Sequence, residues 1–271
     1  MSSWDYWALA AVLIAGVPHG GFDGAVARRS GWAGGFGSWV LFHGGYLLLA
    51  ALVTICWWQL PGPSLAIFLA ISALHFGSSD IRDVAPLWQW SSAVPVIAHS
   101  GLVSIGIPAL QSQAVEPLFT ILVGEQGSLW LIEAIQMIFP IWLASVMAYF
   151  GYAYFVPRWR RSAGLLIVML TSVYWLDPLV SFSLYFCLVH SPMHSLRIWQ
   201  SLEPSHQRRC AIEAAGYTIA AWLAGAALML WYRYTHHVDI DSALLQLTFI
   251  GLAALTVPHM ILVDVIDRRY A

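Results

Sequence analysis

Five histidines of this chain lie inside apolar sequence, each in a pattern suited to holding a metal ion. They are Pro18-His19-Gly20-Gly21-Phe22-Asp23, His75-Phe76-Gly77-Ser78-Ser79-Asp80, His190-Ser191-Pro192-Met193-His194, and Pro258-His259 followed by Asp264. His190 and His194 stand four residues apart, which turns two imidazoles to one side of a helix. Pro192 between them disturbs that helix, because proline lacks an N–H and its ring crowds the preceding turn. In the other three patterns a carboxylate follows the histidine by four or five positions. A metal-bound imidazole usually donates its second ring N–H to a carboxylate or carbonyl. Asp23 and Asp80 are therefore expected to orient the rings, within their own motif or across helices, and Asp264 either does the same or faces water. Imidazole suits zinc, copper, iron and nickel. Cys56, Cys187 and Cys210 are scattered and offer neither a thiolate site nor a disulfide framework. No HExxH segment is present, which argues against a zinc protease. Four nitrogens around a six-coordinate iron would leave positions open for dioxygen.

The elements that carry these residues are set by hydropathy. The 271 residues are 59% hydrophobic and 10% charged, far below the roughly 25% charge of a soluble domain. Nine apolar runs can be traced: 4–17, 39–60, 65–81, 92–110, 129–156, 162–176, 179–199, 211–231 and 243–265. About 20 apolar residues cross a bilayer as a helix, so these runs predict an all-α polytopic transmembrane helix bundle of about nine helices, a single integral membrane domain over residues 1–271. The run at 162–176 is short and stops at Asp177-Pro178. Residues 111–127 are more polar and are expected to form a loop or to lie along the interface. Gly20, Gly21, Gly24, Gly31, Gly34, Gly35 and Gly37 mark a flexible connection after the first helix. No basic stretch precedes the first run, so no removable signal peptide is expected.

All twelve basic residues are arginines, and the net charge of -2 gives no electrostatic purchase on nucleic acid. With nine spans, Arg28, Arg29, Arg82, Arg158, Arg160, Arg161, Arg208, Arg209, Arg268 and Arg269 fall on one side and Arg233 on the other. Basic residues near helix ends favour the cytoplasm, which predicts a multi-pass protein of the inner (cytoplasmic) membrane, N-terminus outside and C-terminus inside. That threading brings His19, His75, His190, His194 and His259 to one depth near the cytoplasmic face. Polar side chains are costly in a bilayer and usually mark function or pair inside the bundle. His43 and His99 are expected to hydrogen-bond between helices, while His206, His236 and His237 are expected in solvated loops.

Taken in order and spacing, the motifs at Pro18-His19-Gly20 with Asp23, His75-Phe76-Gly77 with Asp80, His190-Ser191 with His194, and Pro258-His259 resemble the Brp/Blh family of β-carotene 15,15'-dioxygenases. The resemblance runs over essentially the whole chain. It implies that His19, His75, His190 and His194 hold one Fe(II) and act in catalysis through it, with His259 beside the metal or in the substrate pocket. It also implies cleavage of the central double bond of β-carotene by dioxygen into two all-trans-retinal molecules, within membrane lipid and in functional association with a retinal-binding rhodopsin. The chain cannot itself be such a rhodopsin, since it has no lysine for a Schiff base. Two other classes remain to be weighed. A histidine-rich metal-ion transporter would distribute polar groups through the membrane depth rather than at one level, and a haem protein would betray itself by a Soret band.

Overall fold

The computed structural model describes residues 1–32, 35–86 and 89–266. Gly34, Arg268 and Arg269, used in the sequence reading, lie outside the described residues. Among the described residues the chain is all-helical, with no strand. Among the described residues nine helical rods follow one another: α1 (Ser3–Arg29), α2 (Phe36–Gln59), α3 (Pro61–Asp80), α4 (Trp90–Leu110), α5 (Ser112–Phe155), α6 (Arg160–Trp175), α7 (residues 178–201), α8 (Pro204–His236) and α9 (Ile240–Ile266). Seven of them, all but α6 and α7, are long and apolar enough to cross a membrane. At 16 residues, α6 is about 24 Å long, short of a hydrocarbon core of roughly 30 Å. The polar stretch at 111–127 is not a loop. It forms the first turns of α5, which breaks at Gly124, where φ is 78°. Gln111 just before it donates to the carbonyls of Val173 and Leu176, closing the C-terminal end of α6.

The chain forms two compact units, Met1–Ser64 with Phe186–Ala271, and Leu65–Tyr185. In the first, α2 packs along α9, and α1 packs against α8 and the second half of α7. Gly21 makes the α1–α8 approach possible, since a Cβ there would lie 2.6 Å from the Ala214 carbonyl oxygen. Val26, Ala27, Ile198, Leu262 and Val263 form a buried cluster, with Phe22, Phe42 and Leu202 against it. This cluster ties together the ends of α1, α7 and α9, the same ends that carry histidines. In the second unit, the Trp142 ring of α5 fills the slots above Gly101 and Gly106 of α4, and its indole N–H donates to the Ala98 carbonyl at 3.0 Å. Apolar side chains such as Leu41, Leu47, Leu48 and Leu52 stand exposed along α2, as a lipid-facing helix requires. Aromatic residues divide in the same way: Trp57, Trp142, Trp159 and Tyr149 are fully buried, while Trp4, Trp7, Trp58, Trp90 and Trp175 are exposed.

Gly21→Ala should force α1 and α8 apart, because the obstacle is backbone rather than a movable side chain. A loss of about 1–3 kcal/mol is expected for such overpacking, read as a lower thermal midpoint in detergent. Gly20→Ala, which meets nothing within 4 Å, should leave that midpoint unchanged.

Candidate metal centre

Three of the four histidine motifs interrupt regular α-helix, and the His75 motif does not. A π-turn at Val12–Gly16 leads into a 3-10 segment at Val17–Phe22 that holds His19. A second π-segment, Tyr185–His190, ends on His190, and a third, Ile261–Ile266, begins two residues after His259. The prolines account for much of this. Pro18, Pro192 and Pro258 cannot donate to the carbonyl four residues earlier and crowd it, so the turn widens or tightens locally, a deviation common at functional sites. Backbone carbonyls in these turns are taken up by side chains. Trp222 Nε1 donates to the Leu13 carbonyl at 2.8 Å and Ser191 Oγ to the Ala15 carbonyl at 3.0 Å. That supply is what allows irregular backbone inside a membrane protein. Pro192 sits at the start of the α-segment Ser191–Ser201, directly after the π-segment that ends on His190.

Four of the imidazoles converge within the first unit. The His19 ring centroid lies 5.6 Å from that of His190, 5.6 Å from that of His194 and 5.1 Å from that of His259. His194 and His259 are 5.0 Å apart, and His190 and His194 are 6.4 Å apart with nearly parallel rings. All four are 7% exposed or less. His19 Nδ1–H donates to the Gly16 carbonyl, which assigns the lone pair to Nε2. Phe186 stacks on His190 and meets His19 edge-on, an apolar wall against both rings.

Among the described residues no three His, Cys, Asp or Glu side chains are already close enough to clasp an ion. The rings nevertheless have the spacing of a cage a little open. A nitrogen about 2.1 Å from a metal puts its imidazole centroid about 3.2 Å from it. The triangle of His19, His190 and His194 has a point about 3.4 Å from all three centroids, and that of His19, His194 and His259 one at about 3.0 Å. An all-imidazole donor set of this kind fits a divalent transition metal.

Asp23 and Asp80 do not pair with the histidine of their own motif. Asp23, 4% exposed, accepts from His259 Nδ1 at 2.7 Å and from the Tyr46 hydroxyl at 2.9 Å. Asp80 belongs to the second unit, where both its oxygens accept from the Tyr185 hydroxyl at 3.0 Å and Oδ2 meets His99 Nδ1 at 3.2 Å. His99 Nε2 in turn meets Ser162 Oγ at 2.9 Å. His75 is also in the second unit, buried on α3 beside Phe76. Asp264 is half-buried in the last π-segment. His43 lies on α2, with Nε2 2.8 Å from the Tyr217 hydroxyl of α8, an interhelical bond as expected. His206, His236 and His237 are exposed, but His206 and His236 belong to the terminal turns of α8 rather than to loops. Tyr46, Tyr185 and Phe186 were not singled out by sequence. Tyr46 and Tyr185 stand in apolar runs where only a partner brought from a distant helix reveals the role of the hydroxyl.

A profile described as beta-carotene 15,15'-dioxygenase matches residues 10–267. The chain belongs to the β-carotene 15,15'-dioxygenase family. It is 34% identical over 276 residues to the beta-carotene 15,15'-dioxygenase of uncultured marine bacterium 66A03, an alignment covering 98% of this chain and 95% of that one. It is 24% identical over 292 residues to the probable beta-carotene 15,15'-dioxygenase Blh of Halobacterium salinarum, covering 96% and 83%. No solved structure matches. All four converging histidines, together with His75, lie inside the span shared with this dioxygenase family.

Proposed function

We propose that this protein cleaves the central 15,15' double bond of β-carotene with dioxygen to give two molecules of all-trans-retinal. The observation that carries this reading is the convergence of four buried imidazoles, His19, His190, His194 and His259, in an all-helical membrane protein of this family. His19, His190 and His194 would hold a single Fe(II). His75 keeps the ligand role that the family resemblance gives it, to be tested by its own substitution. Bound iron would supply the redox chemistry that lets dioxygen react with a carbon–carbon double bond. The reaction balances without another reductant: the two oxygen atoms of dioxygen become the two aldehyde oxygens.

The protein's own contribution is placement and exclusion of water. Hydrogen bonds from His19 to the Gly16 carbonyl and from Ser191 to Ala15 hold the ring-bearing turns in register. Phe186 desolvates the face between His19 and His190. A C40 hydrocarbon dissolves in the bilayer rather than in water, so a lipid-embedded enzyme meets its substrate where it resides. With no lysine in the chain, the aldehyde product cannot be retained as a lysine Schiff base and would pass on, for instance to a retinal-binding opsin. We place the protein in the cytoplasmic membrane with its N-terminus outside. Supporting this, Arg28 at the end of α1 and Arg209 at the start of α8 share Glu213 and so lie at one end of their unit. The parity of crossings is the same whether α6 and α7 both span or pair as a shorter hairpin.

Expression in cells that accumulate β-carotene should bleach them and yield retinal as the sole cleavage product. Unchanged colour from a folded, iron-loaded protein would end this assignment, and unequal apocarotenal fragments would replace central with off-centre cleavage.

A further inference from the structure

We infer that His259 is a metal ligand in its own right, acting through Nε2, and that Asp23, pinned by Tyr46, is the residue that aims it. The inference rests on the iron-centre reading above and extends it to three side chains on three helices.

The first ground is position. His259 is 2% exposed, and its ring lies 5.1 Å from that of His19 and 5.0 Å from that of His194. These are the shortest separations in the cluster, and the triangle they close has a centre about 3.0 Å from each centroid, near the roughly 3.2 Å of metal-bound imidazoles.

The second ground is the tautomer. Nδ1 of His259 is committed to Asp23 Oδ1 at 2.7 Å, so with Asp23 ionised Nδ1 carries the proton and Nε2 the lone pair. His19 is arranged in the same way, with Nδ1–H on the Gly16 carbonyl. The acceptors differ: His19 donates to a neutral carbonyl, His259 to a carboxylate. A carboxylate behind a ligating imidazole fixes its orientation and raises its basicity. His259 is therefore a stronger nitrogen donor than His19.

The third ground is charge. Asp23 is 4% exposed inside a membrane protein, and its hydrogen-bond donors are a phenol and an imidazole, neither carrying a fixed positive charge. An isolated buried carboxylate is costly. A divalent cation on the far nitrogen of His259 compensates it across one ring, and Asp23 in turn offsets charge that neutral imidazoles leave uncompensated. Tyr46 completes the device, because its hydroxyl lies 2.9 Å from both Asp23 Oδ2 and the carbonyl oxygen of Leu255, one helical turn before His259, and shares its single proton between the two acceptors. The carboxylate and the histidine backbone are thereby held by the same residue.

The test uses purified full-length protein in detergent and Co(II) as a spectroscopic stand-in, with Fe(II) affinity measured by chelator competition. Asp23→Asn should weaken binding about 10–100-fold, Tyr46→Phe by a smaller factor, and His259→Ala by at least as much as Asp23→Asn. The Co(II) d–d bands should shift in His259→Ala and return on adding free imidazole, a rescue that a purely structural role would not produce. Wild-type affinity and an unshifted Co(II) spectrum in folded His259→Ala, with binding lost in His194→Ala, would overturn the inference and leave the iron centre standing. If wild-type protein binds neither metal, the iron reading itself falls. Should His259→Ala fail to fold, Asp23→Asn decides: unchanged affinity and spectrum there refute the aiming role, and a shifted spectrum supports it.

Discussion

His194→Ala should leave a folded protein that retains almost no iron and cleaves no measurable β-carotene. His194, together with His19, is shared by both triangles of the cluster, and it lies 5.6 Å from His19, 5.0 Å from His259 and 6.4 Å from His190. Removing it opens both at once. Perturbing a partner behind a ligand costs about 10–100-fold in metal affinity, so loss of a ligand itself should exceed about 100-fold. The appropriate control is His43→Ala. His43 pairs with Tyr217 between α2 and α8 and has no place in the ring cluster. It should keep full metal stoichiometry, and iron analysis of the two purified variants separates the outcomes. Normal iron content in His194→Ala would mean that the convergence of rings is structural.

Asp80→Ala should be the most destabilising single substitution in the second unit. Asp80 accepts from Tyr185 through both oxygens and meets His99, while His99 reaches Ser162, so one carboxylate links α3, α4, α6 and the first part of α7. Its side chain is 5% exposed and that of His99 3%. Alanine would strand a buried phenol and a buried imidazole, each costing about 1–3 kcal/mol. A total loss of about 2–6 kcal/mol is expected, seen as a large drop in the detergent unfolding midpoint. Asp80→Asn retains two acceptor lone pairs and should recover part of it. If Asp80→Ala unfolds no earlier than wild type, the network is not what holds these helices together.

The two carboxylates show where local reasoning stops. Asp23 follows His19 by four residues, which in an α-helix leaves the two side chains only about 40° apart around the axis. The segment between them is wound as a 3-10 helix, whose tighter turn separates them by about 120°. Asp23 consequently faces α9 and finds His259. Asp80 follows His75 by five residues of regular helix, about 140° around, and faces His99 and Tyr185 instead. His190 and His194, by contrast, were legible as a pair because four residues suffice to align them.

Composition and hydropathy determined that this is a helical membrane protein, because burying 59% hydrophobic residues with so little charge leaves no aqueous solution. The spacing of apolar runs determined the nine rods among the described residues. Pairing was decided only in three dimensions. Which carboxylate turns to which histidine, which tyrosine pins it, and how Phe186 walls the rings depend on the phase of each helix after its proline-induced π- and 3-10 turns. A one-residue change of winding rotates every later side chain, and no local pattern in the sequence records that rotation.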